Sequence, residues 1–117
     1  MIPVTEDKLY SFIGLATKAG KVLSGDETCE RAVKSGNAQL IIVSEDASDN
    51  TKKKFNDMCK YRGVNIRFFG TKENLGRHCG KDIRSVIAIT EKGFAGHLCE
   101  MIDGYGKEHG GVNIGKN

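Results

Sequence analysis

Four cysteines, three histidines and a scatter of carboxylates are the residues of this 117-residue chain whose types could support metal binding or covalent chemistry. Cys29, Cys59, Cys79 and Cys99 stand 30, 20 and 20 positions apart. Structural zinc sites draw paired thiolates from positions about two to four apart, so the spacing argues against a metal. Each cysteine falls at an apolar position of a helical pattern, where a reduced thiol packs as a small hydrophobe. His78 precedes Cys79 and His97 stands two before Cys99, but a thiol–imidazole nucleophile needs both groups to meet in space and a third to orient the base, and no such orienter is evident. Glu45 and Asp46 close an apolar run and read as solvated carboxylates at a strand end. The phosphate-cradling patterns GxxxxGKS/T and GxGxxG are absent, as are GxSxG and HExxH. Binding, without bond breaking, is the chemistry these residues suggest, and neither a metal nor a cofactor is expected.

Charge points to what could be bound. The net charge of +3 is a sum over uneven segments: residues 1–51 carry five basic and eight acidic side chains, 52–92 carry eleven and four, and 93–117 carry two and three. A middle segment with that excess favours a polyanion partner, against the plainer alternative of solvated helix faces. Lys52, Lys53 and Lys54 span too much of a helix circumference to share one face and read mainly as solvated surface. Arg77, Lys81 and Arg84 are better placed to act together.

The elements that must carry these residues follow from periodicity. Leu9, Phe12, Ile13 and Ala16 define a first amphipathic helix ending at Gly20. Val22 and Leu23 make a short strand. Ser24 and Glu27 have the spacing of a capping box opening a second helix, with Cys29, Ala32 and Val33 inward and Gly36 as its stop. Leu40 to Val43 is an uninterrupted, largely β-branched run of the kind buried on both faces of a central strand. A third helix starts in Ser48 to Thr51, buries Phe55, Met58 and Cys59, and stops at Gly63. A strand follows at Asn65 to Phe69, then a short helix capped by Thr71, a buried strand at Val86 to Ile89, and a last helix capped by Thr90 with Phe94, Leu98 and Ile102 spaced by four. Helices alternating with short buried strands predict an α/β protein, a three-layer α/β/α sandwich with a central mixed sheet. One domain is expected over residues 1–102. Residues 103–117 hold five glycines and little apolar material and are expected to form a disordered Gly-rich tail. There is no apolar run near membrane-spanning length and no apolar region of a secretory signal near the start, so a cytoplasmic location is expected.

Two stretches carry a likeness. AGKVLSGDETCERAVKSGNAQLIIVSEDAS, residues 19–48, and LGRHCGKDIRSVIAIT, residues 75–90, combine a glycine opening a helix, an apolar strand ending in acid-Asp-Ala, an LGRxCG helix and a VIAIT strand. Over residues 5–102 the chain resembles the kink-turn RNA-binding ribosomal-protein family of the L-seven-Ae and L-thirty-e type, and among its branches the small bacterial members. The resemblance implies an α/β/α sandwich that grips the sharp bend of a kink-turn RNA with two elements, the N-terminus of helix two and the loop before the last strand.

Carried over by position, Gly25 matches the glycine that admits the RNA backbone, Glu27 stands where the family usually has asparagine or lysine, Thr28 where it has glutamate or glutamine, and Arg31 where a lysine meets RNA. Asp26 lies between Gly25 and Glu27, and Lys21 resembles the basic residue just ahead of the binding glycine. Ile83 falls where an apolar loop residue packs on a nucleotide, flanked by Asp82, Arg84 and Ser85, with Arg77 and Lys81 around it. The implied function is non-enzymatic recognition of structured RNA, kink-turn or ribosomal, with the ribosome as a further partner; a monomer is expected. The alternatives are a protein-interaction module on the same fold and, with no catalytic constellation to support it, a small-molecule enzyme.

Overall fold

A computed structural model describes residues 4–108 of the chain. Its elements in order are α1 (Glu6–Lys18), β1 (Val22–Ser24), α2 (Asp26–Ser35), β2 (Leu40–Val43), α3 (Asp49–Arg62), β3 (Asn65–Phe68), α4 (Lys72–His78), β4 (Val86–Ile89) and α5 (Lys92–Glu108). The strands form one mixed sheet in the order β1-β4-β2-β3, with β2 and β3 parallel and both neighbours of β4 antiparallel to it.

Strand alternation divides the core in two. Leu40, Ile42, Ile87 and Ile89 point to one face, where they pack with Leu9 and Ile13 of α1, Leu75 of α4 and Leu98 of α5. Ile41, Val43, Val86 and Ala88 point to the other, against Cys29, Ala32 and Val33 of α2 and Phe55 and Cys59 of α3. The central pair β2 and β4 is therefore apolar at all eight positions, and the pairing register sets Leu40 opposite Ile89 and Val43 opposite Val86. Each fully buried aliphatic side chain contributes about 1.5–3 kcal/mol relative to exposure, so this sheet centre is what fixes the layers.

Three local expectations differ from the structure. Ser24 does not cap α2: it ends β1, Gly25 is the N-cap, and no side chain makes a capping hydrogen bond there. The last helix is capped one residue later than Thr90, by Glu91, whose Oε1 accepts from the Phe94 amide at 2.8 Å. Thr90 instead bonds across the sheet end to the Lys21 carbonyl. Helix α5 continues six residues past Ile102, through Glu108. Asp103 pairs with Arg67 of β3 at 2.8 Å, and Tyr105 sets its ring edge against Phe69 with centroids 5.7 Å apart. Those long-range partners offset the ordering cost of a glycine-rich stretch, which composition alone cannot register. The rest of the expected tail, 109–117, lies outside the described residues.

Candidate nucleic-acid interface

The antiparallel pairing of β1 with β4 brings two segments distant in sequence to one end of the sheet. Ser24 pairs with Ile87, and one residue on, the Gly25 amide donates to the Val86 carbonyl at 3.0 Å. Gly25 has φ +101°, in the region that disfavours L side chains, and no atom within 4 Å of where a Cβ would stand. Its conformation, and not crowding, is what calls for glycine. With no side-chain cap, the first-turn amides of α2 and the positive end of its dipole are left to an external acceptor.

The facing loop, residues 80–85, is folded back on α4. The Lys81 amide donates to the Gly76 carbonyl at 2.8 Å and the Arg84 amide to the Lys72 carbonyl at 3.0 Å. A Cβ on Gly76 would overlap the Asp82 carbonyl, so the loop can lie this close only over glycine. At its end, the Ser85 carbonyl accepts from the amide of Ser44, which follows β2. Half-buried Arg84 joins the two segments: its Nε donates to Ser24 Oγ at 3.1 Å and its Nη1 to the Ile83 carbonyl at 2.8 Å. Ile83 is left 54% exposed at the loop tip, one of the exposed large apolar side chains among the described residues.

The structure therefore joins the segment that leads into α2, at Ser24 and Gly25, to Arg84 and Val86; Asp26, Glu27 and Thr28 follow in the first turn of α2, Ile83 and Ser85 flank Arg84, Arg77, Lys81 and Asp82 lie exposed along α4 and the same loop, and Arg31 is exposed one turn into α2. It does not bring Lys21 to them: Lys21 sits beside Thr90, at the other end of β1 and β4. Three further residues of this region carry no such signal in the sequence: Ser24 has the spacing of a cap, Gly76 lies within LGRxCG, and Lys54 belongs to a run of three lysines.

Lys54 alters the electrostatics of the helix start. Its Nζ lies 2.6 Å from Asp26 Oδ1 and 3.0 Å from Glu30 Oε1, and Glu30 also pairs with Lys34 at 2.9 Å. Hydrogen bonds from Lys34 and Lys54 hold the Glu30 carboxyl down at about 2, and those to Asp26 and Glu30 raise the Lys54 ammonium above its usual value. Glu27 and Arg31, one turn apart, form no side-chain hydrogen bond or ion pair among the described residues.

Among the described residues, thiol and imidazole chemistry does not assemble. Cys29 lies buried under the helix start with Sγ 3.7 Å from the Val86 carbonyl, and burial pushes its thiol up to about 12. His78 stacks on Tyr10 with its Nδ1 2.9 Å from the Asn74 carbonyl, and His97 packs against Phe12. Among the described residues, no three metal-ligating side chains cluster, and no helix is long and apolar enough to cross a membrane.

A three-layer sandwich that fastens a glycine-opened helix start to a basic loop with an exposed apolar tip is a small binding domain, its candidate surface built from backbone amides and side chains of two segments. The chain belongs to the ribosomal protein L7Ae/L30e/S12e/Gadd45 family, whose model matches residues 7–99. It is 38% identical over 94 residues to the RNA-binding protein YlxQ of Bacillus subtilis (strain 168), covering 80% of this chain and 94% of that one. To the RNA-binding protein YlxQ of Enterococcus faecium it is 35% identical over 97 residues, covering 83% and 93%. A solved Bacillus halodurans C protein of unknown function superposes with a TM-score of 0.80 at 39% identity, over 84% of this chain and 99% of that one.

Proposed function

We propose that this chain is a non-enzymatic RNA-binding protein that recognises sharply bent, structured RNA of the kink-turn or ribosomal kind, acting as a cytoplasmic monomer that can associate with the ribosome. The observation that carries the proposal is the joining of the α2 start to the 80–85 loop through Gly25–Val86 and Ser24–Arg84. A bend crowds phosphates and turns a base outward. The uncapped amides of α2 suit a phosphate or a base edge, and Ile83 supplies apolar surface for an unstacked base. Arg31, Arg77, Lys81 and Arg84 add salt-dependent attraction for the backbone. Glu27 carries only acceptors and suits the amino and imino donors of a guanine edge. The relatives named as RNA-binding support the same reading.

The test is a titration with a kink-turn RNA, the same RNA with its bend abolished by mutation, and a plain duplex, each at two salt concentrations. Tighter binding to the intact bend, weakening as salt rises, is expected; equal affinity for all three would leave only charge attraction. A second reading, a protein-interaction module on this fold, draws on the exposed carboxylate of Glu27, which repels phosphate. Partners captured from extract separate the two: loss of the captured material after ribonuclease supports RNA, and its survival supports a protein.

A further inference from the structure

We infer that Lys54 is a positioning residue for this surface: from α3 it clasps Asp26 and Glu30 and so keeps two carboxylates of α2 from opposing an incoming phosphate. The inference rests on the RNA-binding reading and deepens it. Four charged side chains occupy α2 from its start to Arg31, namely Asp26, Glu27, Glu30 and Arg31. Three are acids, and an acidic helix start works against the attraction of free amides and dipole for an anion. The clasp resolves this conflict. Lys54 Nζ reaches Asp26 at 2.6 Å and Glu30 at 3.0 Å, and Lys34 holds the other oxygen of Glu30. Among the described residues, Glu27 and Arg31 are then the charges of this helix start that have no ion pair. Neighbouring Lys53 does none of this, because it pairs with Asp57 on its own helix. One lysine of the triple-lysine run thus has a partner across the α2–α3 groove, and its role comes from Asp26.

That dependence on Asp26 separates positioning from bulk positive charge. Wild type, Asp26→Asn, Lys54→Gln and the double variant are titrated with a kink-turn RNA at low and high salt, with Lys53→Gln as the matched charge control. Lys54→Gln is expected to weaken binding about three- to tenfold at low salt, less at high salt, and more than Lys53→Gln does. Asp26→Asn is expected to restore the Lys54→Gln variant to within about twofold of wild type, a larger gain than the same substitution gives wild type. Equal gains from Asp26→Asn in both backgrounds, or equal losses from the two lysine variants, would overturn the inference while leaving RNA binding intact. A wild-type protein that fails to prefer the bend refutes the parent reading instead.

Discussion

Gly76→Ala tests whether the loop that presents Ile83 depends on a glycine in α4. The added methyl would overlap the Asp82 carbonyl and come close to the Arg84 amide, which are backbone atoms that cannot rotate aside. Relief requires the loop to withdraw from α4, stretching Lys81 N to Gly76 O and Arg84 N to Lys72 O, now 2.8 and 3.0 Å. Each lost backbone bond costs about 1 kcal/mol, and overpacking costs about 1–3 kcal/mol. Alanine returns up to about 1 kcal/mol of helix propensity. The net expectation is destabilisation by about 2–4 kcal/mol, with weaker binding to a kink-turn RNA as Ile83 and Arg84 shift. Urea denaturation followed by far-ultraviolet circular dichroism measures the first, and the RNA titration the second. Gly96→Ala is the control: its Cβ would meet nothing within 4 Å, so it should stabilise α5 by about 0.5–1 kcal/mol. A Gly76→Ala protein as stable as wild type, with unchanged RNA affinity, would refute the steric argument.

Arg31→Ala is expected to weaken binding to every RNA tested, whereas Ile83→Ala mainly erodes preference for the bent form and changes stability by less than about 0.5 kcal/mol, because Ile83 stands in solvent. Unchanged binding in both variants would remove this surface from consideration. Ser24→Ala removes the acceptor of Arg84 Nε and should cost about 0.5–1.5 kcal/mol, with faster amide exchange in the 80–85 loop than in wild type. Stability should also fall in alkali. Burial, with Asp26 adding to it at Cys29, raises the Cys29 and Cys59 thiols from 9.0 to about 12. The folded state therefore favours the protonated thiol, and this contribution is present below pH 9.0 and lost as pH rises toward about 12. Denaturation midpoints measured between pH 8 and 11 should decline less in a Cys29→Ala, Cys59→Ala double variant than in wild type. Equal declines would assign the effect to other groups.

Periodicity recovers most of this fold because its helices and strands are built by local rules. Thr71 and Ser48 cap the helices they precede, and the runs Leu40 to Val43 and Val86 to Ile89 form the sheet centre. Sequence reading falters where a distant residue decides the outcome. Ser24 has the spacing of a capping box, yet Gly25 is drawn to Val86 and the serine hydroxyl is taken by Arg84, sixty positions away. The stretch from Asp103 looks too poor in apolar residues to order, yet Arg67 and Phe69 hold it in α5. The two halves of the candidate site came from a family likeness and are adjacent here through strand pairing. Lys54 and Gly76 could not be read the same way, since their partners, Asp26 and Asp82, are defined only once α2 lies beside α3 and the loop lies on α4.

The central claim is that the α2 start and the 80–85 loop form one RNA surface. Amide chemical-shift mapping of the isotope-labelled protein, titrated with a kink-turn RNA, tests it most directly. Shifts are expected to concentrate in residues 24–31 and 80–86, with the Lys21 and Thr90 end of the sheet quiet. Shifts centred elsewhere, or spread evenly over the basic side chains, would contradict it.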